Sequence, residues 1–211
     1  MKISPYLAMD GYKSALFLEP DNYDGYPPIN SISLQTRVRK IDHNRWAVAS
    51  AIALQNYVSK SIEWPEAIQV DVAEAIEDFF GRRRVRVSPL NLTPDRIEFG
   101  NRQALINNRS KELNIAKGQV LFTLGDSHAV LSHAVVDDIR IASNISHFHA
   151  NDEIGHAISS LATSVFVASD YAFGELCIEQ KIVERMGKAE FNRYATLLES
   201  VNLKLIAGST P

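Results

Sequence analysis

The run Val120-Leu121-Phe122-Thr123-Leu124-Gly125-Asp126-Ser127-His128-Ala129 sets a carboxylate, a hydroxyl and an imidazole in three consecutive positions after an uncharged stretch. A strand buried on both faces reads as such a stretch, and a glycine at its end lets backbone approach a ligand closely. The spacing predicts a helix over 128–136. The first turn of such a helix would offer unpaired N–H groups and a partial positive charge to an anion. Asp126, Ser127, His128 and His133 are therefore the candidate catalytic residues. Ser127 would act as nucleophile or phosphate ligand, and His128 or His133 as the base. The competing reading is a capped turn without chemistry.

A second constellation is made of imidazoles. Five of the six histidines (His128, His133, His147, His149 and His156) fall within one short stretch of chain. On a strand, His147 and His149 would point to one face, and with Glu153 they could ligate a divalent transition metal such as Zn²⁺ or Fe²⁺. Glu153 and His156 would share a face if 152–163 is helical, as its spacing predicts. The competing reading is a solvated loop leading into a helix.

Three resemblances attach to these residues. Gly125-Asp126-Ser127 resembles the Gly-Asp-Ser block of the SGNH esterases, whose base comes from a later Asp-x-x-His. No aspartate after Ser127 has a histidine three positions on, so the resemblance implies no triad. The same run is similar to the Ser-Gly-Gly-x-Asp-Ser loop of PP-loop ATP pyrophosphatases. It is one residue short and lacks the first glycine, so it implies no ATP site. His147-Phe148-His149-Ala150-Asn151-Asp152-Glu153 resembles the first cupin motif in its His-x-His-x3-Glu spacing, without that family's glycines or its second motif.

The remaining features are more ordinary. Arg82-Arg83-Arg84-Val85-Arg86 puts four arginines in five positions, which suits a charged strand edge. Cys177 reads as a small core residue on a helix. Leu176, Ile182, Val183, Met186, Phe191, Tyr194, Leu197 and Leu198 form an apolar stripe that is either core packing or a partner groove.

Elements must hold these groups in place. Residues 1–30 are punctuated by Pro5, Gly11, Pro20, Gly25, Pro27 and Pro28 and read as an extended segment, with a surface loop at 21–26. Ile32, Leu34, Thr36 and Val38 alternate with polar residues, as in a half-buried strand. Asp42 or Asn44 is expected to cap a helix over 45–60, and Pro65 or Glu66 to open another that Gly81 ends. Further strands are expected at 85–90, 96–99, 119–124, 139–145, 165–168 and 203–206, with helices at 173–187 and 189–201.

Alternation of strand and helix is clearest from 119 onward. It implies an α/β or α+β fold, a mixed sheet flanked by helices, in a single globular domain over 1–211. With 22 basic and 25 acidic residues the net charge is −3, which argues against a protein built to coat nucleic acid. One cysteine permits no intramolecular disulfide, and no apolar stretch reads as a signal peptide or membrane span, so a cytoplasmic location is expected. These features lead to a small cytoplasmic enzyme, a hydrolase or transferase, handling an anionic or acyl substrate at the 125–128 turn. The alternative is a non-catalytic binding or assembly protein whose C-terminal amphipathic helices contact a partner.

Overall fold

The computed structural model describes residues 1–7, 13–36, 38–39, 41–81, 85–93, 97–107, 118–126, 133–135 and 137–208; for 107, 126 and 133–135 it describes the backbone alone. Two strands lie within the Pro/Gly-punctuated start of the chain, β1 (Lys2–Leu7) and β2 (Ser14–Glu19). They pair antiparallel, with Lys2 opposite Glu19 and Leu7 opposite Ser14. The tract 21–26 is the expected loop. Asp24 orders it by accepting from the backbone N–H groups of Asp21 and Ser59, at 3.0 and 2.9 Å.

After β3 (Ser31–Leu34) comes α1 (His43–Ala53), capped as expected by Asp42, whose side chain accepts from the Arg45 N–H at 3.1 Å. The helix ends sooner than its apolar spacing suggests and is buried from Arg45 to Ala53. A helix enclosed on all sides suits small residues, and Ala47, Ala49, Ser50, Ala51 and Ala53 supply them. Its neighbour is α3 (Glu153–Phe166), which is also rich in small residues. Trp46 joins the two helices, donating its indole N–H to the Phe166 carbonyl at 2.9 Å. Buried hydroxyls on α3 donate back along the helix, Ser159 to the Gly155 carbonyl and Thr163 to that of Ser159, both at 2.8 Å. Gly155 itself is required, because a Cβ there would lie 2.0 Å from the Ala150 carbonyl oxygen.

Two expected helices give way to strands. Pro65 does not open a helix but lies inside β4 (Ser61–Gln69), and α2 (Val70–Phe80) starts only at Val70. Ile62 and Trp64 are buried while Glu63 and Pro65 face outward, the period-two pattern of a strand. β4 pairs parallel with β5 (Arg86–Asn91), and its register shifts between Glu63 and Ile68, where Pro65 can sit without breaking the ladder. Likewise 173–179 is β10 (Phe173–Glu179), not helix. Leu176 and Ile178 face the core while Glu175 and Cys177 face away, so Cys177 lies on a strand. Only then does the chain turn helical, as α5 (Gln180–Met186) and α6 (Lys188–Glu199). The strand expected at 165–168 is the end of α3 and the short α4 (Ala168–Tyr171). The stretch 97–100 is irregular, and the strand follows it.

That strand is β6 (Arg102–Asn107), followed by β7 (Gln119–Asp126), β8 (His133–Val135) and β9 (Asp138–Ser143). With β11 (Lys204–Gly208) the order across the sheet is β11-β10-β6-β7-β9-β3-β2-β1-β4-β5, and β8 pairs with β9. The fold is α/β with a mixed sheet. From β11 to β9 the strands are parallel, and so are β1, β4 and β5, while the pairs β9–β3, β3–β2 and β2–β1 are antiparallel. Three reversals make the two parallel blocks run in opposite senses. The carboxyl ends of β4 and β5 therefore share an edge of the sheet with the amino ends of β6 and β10.

The helices touch one another and form one layer: α1 lies on β4, α3 on β6, β7 and β10, and α6 on β11. One buried side chain ties this layer together. Arg45 is 1% exposed; its Nη2 donates to the Glu98 carbonyl at 2.6 Å, its Nη1 to Ser169 Oγ at 3.0 Å and its Nε to the Val201 carbonyl at 3.4 Å. Asp42 supplies the counter-charge at 3.7 Å. Burial pulls the guanidinium pKa down, and Asp42 and Glu98 oppose that shift.

The apolar stripe at the C-terminus is core: Leu176, Ile182, Tyr194, Leu197 and Leu198 are buried. Leu197→Ala should cost about 2–5 kcal/mol in urea unfolding, independent of protein concentration. A change below about 0.5 kcal/mol, or one that depends on concentration, would contradict this packing. Arg45→Met should cost about 3–5 kcal/mol by the same measurement, since it removes the donors to the Glu98 and Val201 carbonyls and the counter-charge of Asp42. A variant as stable as wild type would show that the guanidinium contributes nothing net.

Candidate functional site

Gly125 and Asp126 lie at the carboxyl edge of the larger parallel block, as the last residues of β7. The chain visits β6, β7 and β9 in one direction, then returns across the sheet to β10 and β11, so the order reverses between β6 and β10. Asp126 is the last residue of β7 and stands opposite Ser143, the last of β9. Ser127 and His128 lie outside the described residues. The helix expected over 128–136 is overturned at its far end, because 133–135 is strand β8, antiparallel to β9. There Ala134 stands opposite Ile139 and Val135 opposite Asp138, and that ladder satisfies the backbone as a helix would.

His133 is thereby separated from Asp126. It pairs with Arg140, three residues below Ser143 and on the far side of β9 from β7. Two strand spacings and three residues of rise put the two Cα atoms roughly 14 Å apart. The segment His147–Glu153 does come to the same edge as Asp126, since it connects the end of β9 to the start of α3. Asn144 anchors that connection, accepting from the Ser33 N–H at 2.8 Å and donating to the Ser31 carbonyl at 2.9 Å.

The strand on which His147 and His149 were to share a face is absent: Ile145–Phe148 is one turn of 3₁₀ helix, and His149 follows it. Three residues per turn send positions two apart to different sides. His147 is exposed, His149 is half-buried, and Glu153 is ion-paired with Arg185. Among the described residues no three His, Cys, Asp or Glu side chains gather as a metal site. His149 Nε2 is buried without a hydrogen-bond partner, and burial lowers the imidazole pKa from 6.5 to about 4.

Other flagged groups resolve as structure. Cys177 is half-buried, and burial and Glu175 push its thiol pKa up, away from nucleophilic character. Arg86 lies on the edge strand β5 and pairs with Glu77 at 3.3 Å, while 82–84 lie outside the described residues.

A cleft of about 410 Å³ opens at the opposite edge of the sheet, where the carboxyl ends of β4 and β5 meet the start of α1. Its polar walls include Asp42, His43, Asn44, Glu66 and Glu98. His43 Nδ1 accepts the Trp64 indole N–H at 3.1 Å, so the neutral ring carries its proton on Nε2. Asn44 Oδ1 accepts from the Gln69 N–H at 3.0 Å, which leaves its amide hydrogens for a ligand. The sequence marks Asp42 and Asn44 only as helix caps, and His43 is the one histidine outside the cluster. Nothing local joins 42–44 to 66 and 98. Their meeting is a product of the fold.

No known relative adds to this geometry. No family model, curated protein or solved structure matches the chain. Functional assignment therefore rests on the two edges of the sheet.

The buried imidazole gives a pH signature. Its folded pKa, about 4, lies below the unfolded value of 6.5, so between these values the unfolded chain binds a proton that the folded chain excludes. Stability is complete above the unfolded value and falls as pH drops through that window, by about 3 kcal/mol between pH 7 and 4. Urea unfolding of wild type and His149→Phe across that range should show this loss in wild type alone. Parallel curves for the two proteins would place the imidazole in contact with water.

Proposed function

We propose that this chain is a small cytoplasmic α/β enzyme, a hydrolase or transferase, acting on an anionic or acyl small molecule at the carboxyl edge of its larger parallel block. The observation that carries this reading is the position of Gly125-Asp126 at the end of β7, beside the strand pair where the order reverses. Open parallel sheets hold their ligands at such edges, because the connections diverge there and leave a crevice. In this reading Ser127 Oγ attacks the acyl carbon as His128 accepts the hydroxyl proton. The bond from that carbon to the leaving group breaks as His128 passes the proton on to it, and water then releases the acyl group. With a phosphate substrate, Ser127 holds the phosphate. His128 is preferred to His133 as the base, given the backbone separation across β9.

The alternative, an assembly protein using its C-terminal helices, has less support. Tyr194, Leu197 and Leu198 are buried within the chain itself, so their apolar face is already occupied. No helix among the described residues is long and apolar enough to cross a membrane.

The test uses p-nitrophenyl acetate as an acyl probe and p-nitrophenyl phosphate as an anionic one. Wild type should turn over one of them, and Ser127→Ala and His128→Ala should each lower that rate at least about a hundredfold with the melting temperature unchanged. No turnover of either ester, or equal turnover by Ser127→Ala, overturns the reading.

A further inference from the structure

We draw no further inference here: the strongest candidate, the half-buried row Leu121, Leu105, Cys177 and Ile206 that runs across β7, β6, β10 and β11 on the sheet face opposite the helix layer, is an unpartnered apolar face, and nothing in the structure shows what covers it.

Discussion

Removing one guanidinium from water is the constraint around which this molecule is arranged. Arg45 lies in the first turn of α1 and is enclosed, and a buried charge is tolerated only where every donor finds a partner. Its partners come from distant parts of the chain: Glu98 before β6, Ser169 in α4, Val201 after α6, and Asp42 beside it. Satisfying that one side chain fixes the start of α1 against the amino ends of β6 and β10.

The helix layer follows from a second requirement. Both α1 and α3 are buried nearly throughout, so they cannot present the single apolar stripe of a surface helix. Alanine, serine and threonine let their axes approach, and the hydroxyls bond back to their own helices. Trp46 fills the space that remains and places its one polar atom on the Phe166 carbonyl. Around this pair the sheet has one covered face, while its other face carries half-exposed residues such as Leu105, Leu121 and Cys177.

The opposed sense of the two parallel blocks gives the sheet two chemically different edges. One holds Asp126 and the connection 144–152. The other holds the acidic cleft built on the start of α1. A sheet parallel throughout would gather all its carboxyl ends on one edge. The three antiparallel pairs in the middle, β9–β3, β3–β2 and β2–β1, divide them.

Much of the local structure was legible in the sequence. Asp42 caps α1, the alternation around Ile32 and Leu34 marks β3, the uncharged run before Gly125 marks β7, and the three- and four-residue spacing of Tyr194, Leu197 and Leu198 marks α6. These features depend on nearest neighbours along the chain, which is why composition and spacing reveal them. What the sequence by itself could not determine was the state of 61–69, 133–135 and 173–179. A short apolar segment satisfies either period, and its strand hydrogen bonds are supplied by residues far away. The candidate sites divide in the same way. Asp126 ends β7, a position that the run before Gly125 marks locally, whereas the helix expected to carry His133 is replaced there by the β8–β9 pairing. The cleft of His43, Glu66 and Glu98 had no local signature, because only the tertiary structure brings those three segments together.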